Sequence, residues 1–142
     1  MSEQQTVTPM LAYEDADAAL AWLAKAFGFR ETARYPMPDG SVGHAEMETE
    51  AGGRVMLAEP TKAYRSPKHH AETCADAAAW LAVPYVIDGV HVYVPDIDAH
   101  YARAREAGAT ILGELADTEH GRIYRAEDQE GHRWMFEALP VE

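Results

Sequence analysis

The chain carries one order of elements twice, and that repetition limits the folds open to it more than any other feature. In the first half TVTPMLAY reads as a strand. A helix follows, opened by Asp15 or Asp17, with Leu20, Leu23, Ala24 and Phe27 at helical spacing and Gly28 at its end. Strands then read at FRETARY, SVGHAEMET and RVMLAE, separated by the turn signals MPDG and EAGG. In the second half GVHVYV alternates Val90, Val92 and Val94 with Gly89, His91 and Tyr93, as a strand with one face on a core does. DIDAHYARAREAGA is a helix with Ile97, Tyr101 and Ala104 on one side and Gly108 at its end. ATILGEL, GRIYRAED and HRWMFEAL supply three more strands, with DQEG as the last turn. Setting Asp15 against Asp96 pairs Leu20 with Tyr101 and Leu23 with Ala104. Setting Gly52 against Gly131 pairs Arg54, Val55, Met56 and Leu57 with Arg133, Trp134, Met135 and Phe136. Two ordered matches in the same sense point to duplication.

One domain over residues 1–142 is expected, with a first module at 6–60, a linker at 61–87 and a second module at 88–139. The linker is long for a plain connection in a compact domain. Ser66 and Pro67 resemble an N-cap and first helical position, and HAETCADAAAWLAV has helical composition up to Pro84, so a short helix is expected there. Its functional alternative is a lid over a site. Cys74 is the only cysteine, which excludes an intrachain disulfide and reads as a structural thiol within that helix.

Charge narrows the partners. With 24 acidic side chains against 12 Lys plus Arg, the net charge of -12 opposes attraction to nucleic acid and to anionic membrane surfaces. MSEQQTVTP has no basic segment followed by an apolar core, and no apolar run approaches roughly twenty residues. A soluble, cytoplasmic protein is expected.

The segments YEDADAALAWLAKAFGF and VPDIDAHYARAREAGATIL, and above all YRAEDQEGHRWMF, carry a family resemblance. The last is similar to a closing D-P-x-G-H-x-W-x-F pattern, with Gln129 where proline is usual. On these motifs the chain resembles the vicinal oxygen chelate superfamily, the glyoxalase, bleomycin-resistance and extradiol-dioxygenase group, from about Val7 to Leu139. The resemblance implies an α+β fold. Two βαβββ modules form a cupped mixed β-sheet, with helices on the convex side and ligand on the concave side.

In that fold the valines of GVHVYV pack on the helices, so Gly89, His91 and Tyr93 face into the cup. The same parity turns Trp134 and Phe136 toward the helices and leaves Arg133, Met135 and Glu137 inside. It packs Ala45 and Met47 and leaves Val42, His44, Glu46 and Glu48 inside. In the first strand Val7, Pro9, Leu11 and Tyr13 pack, with Thr8, Met10 and Ala12 inside; Tyr124 and Ala126 pack, with Arg125 inside. The expected ligand-binding wall is therefore His44, Glu46, Met56, His91, Tyr93, Arg125, Met135 and Glu137, with Thr8 and Met10 beside it.

The resemblance also implies positions for a divalent metal, which here are Thr8, Met56, Gly89 and Met135. None is a good ligand for a hard or borderline ion, so no cofactor is expected at the usual place. A displaced site built on His44, His91 and Glu137, with Glu46 pointing the same way, is the alternative. The plainer expectation makes His44 and His91 hydrogen-bonding pocket residues, with Glu46 or Glu137 paired to Arg125 or Arg133. His91 and Tyr93 are the candidates for acid/base work. His69, His70, His100 and His120 read as solvated, and His132 as fixing the turn after Gly131.

Three functions from different classes follow. One is a metal-free protein resembling the bleomycin-resistance branch, binding a small organic molecule. Another is a lyase, isomerase or dioxygenase with a displaced metal site. A third is a non-catalytic assembly domain. The resemblance further implies a homodimer in which each cup draws on two chains.

Overall fold

A computed structural model describes residues 5–84 and 88–140. The first module consists of β1 (Met10–Ala12), α1 (Ala16–Phe27), β2 (Arg30–Pro36), β3 (Val42–Glu48) and β4 (Arg54–Ala58). Two linker helices follow, α2 (Pro67–Thr73) and α3 (Ala75–Leu81). The second module is β5 (Gly89–Val94), α4 (Ile97–Glu106), β6 (Thr110–Thr118), β7 (Gly121–Glu127) and β8 (Arg133–Ala138).

Each module forms a four-stranded mixed sheet, in the orders β1-β4-β3-β2 and β5-β8-β7-β6. The first strand of each module pairs parallel with its last, and the other pairs are antiparallel. β1 and β5 are thus edge strands, and among the described residues no strand pairing joins the two sheets. The α+β architecture of two βαβββ modules is the one the sequence pattern implied.

Matching chemistry starts both module helices. Asp15 accepts from Ala18 N and Asp96 from Ala99 N, so each carboxylate satisfies a backbone donor that the first helical turn leaves free. Gly28 closes α1 at φ 72°, a conformation that a side chain would strain.

One core serves both modules. α1 and α4 pack on each other, and the fully buried Phe27 at the end of α1 lies 4.7 Å from the Phe136 ring and 5.7 Å from Trp134, both on β8. The Trp22 indole donates to the Ala107 carbonyl at 2.9 Å. Tyr13 donates to Asp128 at 2.6 Å, and the Glu130 carboxylate accepts the backbone N–H groups of Glu14 and Asp15. The β7–β8 turn of one module therefore caps the helix start of the other.

Several expectations are corrected. The first strand is shorter than TVTPMLAY, because Pro9 offers no N–H and Gln5 replaces the ladder by bonding Arg54 N and O through its side chain. Val7 is consequently 80% exposed instead of packed. Val42 is buried in the core and does not face the cup; a register shift opposite Tyr35 and Pro36 rotates it relative to His44. Ala24 is exposed on the outer face of α1. The linker holds two helices, broken at Cys74, which is the joint between them and not a helical residue. Ser66 does precede the first of them, but its hydroxyl donates to Glu14 instead of capping. The last three residues of the expected linker, 85–87, lie outside the described residues.

Candidate functional site

The face of each sheet turned away from the helices carries the expected site residues, and the two sheets divide them. His91, Tyr93, Arg125, Met135 and Glu137 lie on the second sheet; Met10, His44, Glu46 and Met56 lie on the first. Thr8 falls before β1 and is half-buried.

Register builds the second sheet's face row by row. His91, Met135 and Arg125 are direct cross-strand neighbours, with Gly113 next beyond Arg125. Gly89, Arg133 and Glu127 form the row on one side, and Tyr93, Glu137 and Ile123 the row on the other. Because Gly89 has no side chain, space opens over the first of these rows. A cavity of about 230 Å³ lies there, walled by Gly89, His91, Arg125, Arg133 and Met135, with Leu112 and Pro84 at its rim.

The polar groups of this face have defined partners. His91 Nε2 lies 2.8 Å from Glu137 Oε1, and the Tyr93 ring meets the imidazole edge-on at 4.7 Å. An ionised carboxylate can only accept, so Nε2 carries the hydrogen and Nδ1 is the ring nitrogen without a hydrogen-bond partner among the described residues. Arg133, 4% exposed, donates to the carbonyls of Leu81 and Val83 at the end of α3 and to Glu127 at 3.2 Å. It ties the linker helices to the end of the cavity. The expected pairing of Glu46 or Glu137 with Arg125 or Arg133 does not occur: Glu46 lies 3.8 Å from Arg54, Glu137 pairs with His91, and Arg133 with Glu127. Arg125 has no ion pair among the described residues.

On the first sheet His44 Nε2 lies 3.6 Å from Glu46 and the Tyr35 ring stands beside the imidazole. Met10 is 75% exposed and pairs with Met56 across the parallel β1–β4 ladder. A cleft of about 460 Å³ runs between the segment leading into β1 and strand β5, lined by Val7, Pro9, Val92, Tyr93 and Leu139 among others.

The usual metal positions do not fit a divalent ion. Gly89 and Met135 line the cavity with a bare backbone and a thioether, and Met56 is again a thioether. Among the described residues no three His, Cys, Asp or Glu side chains come together in a way that could hold a metal. Of the displaced set, His91 and Glu137 are in contact while His44 sits on the other sheet.

Other polar clusters are structural. His100, expected at the surface, is 2% exposed; it bonds Tyr124 Oη at 2.6 Å and the Phe27 carbonyl at 3.0 Å, and stacks on Phe27. Burial, with the Arg103 charge beside it, lowers its pKa to about 4, so it is neutral in the fold. Its place was readable, since Ile97, His100 and Ala104 share the i, i+3, i+7 face of α4. His69 is bonded to Glu14, which also accepts from the Ser66 hydroxyl and backbone; the Ser66 hydroxyl is the main reason the Glu14 carboxyl is held down at about 2. His132 donates to the Ala12 carbonyl at 2.6 Å, while its backbone N–H closes the turn on Asp128. Asp128, missed in the sequence, is buried and accepts from Tyr13, Trp134 and two backbone amides of its own turn. His120 is exposed beside Glu119.

The family model of the glyoxalase/bleomycin resistance protein/dioxygenase superfamily matches residues 5–136. An uncharacterized protein of Mycobacterium bovis is 33% identical over 134 residues, 94% of this chain and 82% of its own length. Among solved structures, TioX from Micromonospora sp. ML1 is 34% identical with a TM-score of 0.69, covering 97% of this chain and 98% of that one. FosX, the genomically encoded fosfomycin resistance protein of Listeria monocytogenes, matches at a TM-score of 0.60 over 96% of this chain and 92% of its own; at 14% identity the likeness is one of fold alone.

Proposed function

Because the chain belongs to the glyoxalase/bleomycin resistance protein/dioxygenase superfamily, we propose that it binds a small organic molecule on the concave face of its second sheet, without a divalent metal at the usual family positions. The observation that carries this is the cavity of about 230 Å³ over Gly89. Two positions that would hold metal ligands in the family, Gly89 and Met135, supply space and a soft apolar wall there instead.

Two chains complete each binding cup. Support comes from the free edges of β1 and β5 and from the exposed Val7 and Met10 beside the first of them, an arrangement that unpaired strand edges rarely keep in water. Sedimentation at micromolar concentration is expected to give a dimer, and a single chain would overturn that part.

The binding test is a screen of small aromatic compounds by thermal shift and calorimetry on the wild type and on Gly89→Leu. Gly89 has room for a side chain, since an added Cβ meets nothing closer than the Arg133 carbonyl at 3.4 Å. Saturable binding lost in the filled variant, with folding intact, is the expected result. Equal binding by both proteins, or none by the wild type, sinks the proposal.

The His91–Glu137 contact supports a second function, metal-independent proton transfer, in which His91 Nδ1 accepts a proton from bound substrate while Glu137 orients the ring. Turnover of a bound compound that disappears in Glu137→Gln, with binding retained, would favour it. Nucleic acid and membrane surfaces are not proposed partners. No helix among the described residues is long and apolar enough to cross a membrane.

A further inference from the structure

We infer that the second sheet's cavity selects an anionic ligand, one that presents a carboxylate or a comparably acidic oxygen to Arg125. The inference rests on the proposed binding site and adds its chemical class.

The first ground is an arginine left without a partner in a chain rich in carboxylates. Acidic side chains outnumber basic ones 24 to 12, and Arg30, Arg34, Arg54, Arg103, Arg122 and Arg133 each lie within 4.0 Å of one. Arg65 donates to two backbone carbonyls, and Arg105 stacks on Tyr101. Arg125 has none of these among the described residues, yet it is half-buried on the cavity wall. A partly desolvated guanidinium with no counter-ion is unfavourable, and a bound anion removes that penalty.

The second ground is the rest of the wall. No carboxylate lines the cavity among the described residues. The two acidic groups nearest in register are engaged elsewhere, Glu137 by His91 and Glu127 by Arg133 and Lys68. Arg133, at one end of the cavity, is matched by Glu127 and leaves Arg125 as the wall's unbalanced positive charge among the described residues. The Arg133 Nε is the only buried side-chain nitrogen or oxygen without a hydrogen-bond partner found among the described residues.

Spacing suggests the ligand's shape. His91 and Arg125 are two strands apart across Met135, roughly 10 Å between backbones at the usual strand separation. A flat molecule lying on Met135 reaches both. Its acidic oxygen meets the Arg125 guanidinium, and a polar group at the other end meets His91 Nδ1, the nitrogen that Glu137 leaves free.

Calorimetric titration of the full chain with 2-naphthoate, 2-naphthamide and 2-naphthylmethylammonium at neutral pH and low salt tests this. The acid is expected to bind at least about tenfold more tightly than the amide, and the ammonium most weakly. Arg125→Met should weaken the acid by about tenfold and leave the amide within about twofold, while Arg125→Lys keeps part of the preference. If the amide equals the acid, or the ammonium binds best, and Gly89→Leu still abolishes binding, the anion inference falls and the cavity stands. If none of the three binds, the inference and the proposed site fall together.

Discussion

The two modules place their elements in the same order and put them to different use. α1 buries seven residues, all apolar and including Trp22, Leu23 and Phe27; α4, in the equivalent place, buries Ile97, His100 and Ala104. Their free faces differ in the opposite sense. On the first sheet Glu46 lies 3.6 Å from His44 and 3.8 Å from Arg54, whereas on the second an Arg125 with no ion pair among the described residues and the His91–Glu137 pair border a cavity. Because the helices pack on each other, Phe27 at the end of α1 also packs against Trp134 and Phe136 of the other module's sheet. The less apolar module is thus supported in the core by its partner while its free face carries the cavity.

Phe27→Ala is the severest way to break that comparison. The side chain is fully buried and spans the junction between α1 and β8, so its loss is expected to cost about 3–5 kcal/mol. Urea unfolding followed by far-UV circular dichroism and by tryptophan fluorescence should move together to lower midpoint. Trp22 and Trp134 lie on either side of the junction, with Trp80 on α3 as the third tryptophan, so circular dichroism and fluorescence transitions that separate would show that the modules do not share a core.

A smaller effect separates the helices by pH. A free histidine takes up a proton near 6.5, whereas burial holds His100 at about 4. Between those values the unfolded chain binds a proton that the folded chain does not, so stability is complete above about 6.5 and is lost as pH falls toward 4. The loss is on the order of 3 kcal/mol at most. Glu14, held at about 2, acts in the same sense but lower, as pH falls below the ordinary carboxylate range. Denaturation of the wild type and His100→Gln between pH 7 and pH 4.5 separates them. The variant should be less stable at pH 7 and show a flatter slope; an unchanged slope would mean that His100 does not titrate in that window.

The repeat was legible because helix caps and strand alternation are local. Asp15 and Asp96 announce both module helices, and the parity of Val92, Val94, Trp134 and Phe136 fixes which face of the second sheet is buried. Features that depend on contacts distant in sequence were not. The burial of Asp128 follows from Tyr13 of the other module, and Arg133 turns to carbonyls at the end of α3 instead of to the expected carboxylate. Val42 was misplaced because a register shift breaks the alternation on which parity rests. The residues of the free faces could be listed from their parity, but which of them touch depends on which sheet each belongs to.

The smallest predicted effect on stability sharpens the comparison most. His44 and His91 are both histidines on the free face of a sheet, each beside a glutamate, and parity alone treats them alike. Their contacts do not: His44 lies 3.6 Å from a Glu46 that also has Arg54, whereas His91 is at 2.8 Å from Glu137. His44→Ala should change stability by less than about 0.5 kcal/mol, as expected for a partly exposed contact already duplicated by an arginine. His91→Ala should cost about 1 kcal/mol, because it leaves the mostly covered Glu137 carboxylate without its donor. Ligand affinity should separate them further, falling in His91→Ala and holding in His44→Ala when each is titrated with whatever compound the wild type binds. Equal losses in both would mean that, of the two chains that complete each cup, the second contributes the face of its first sheet as well.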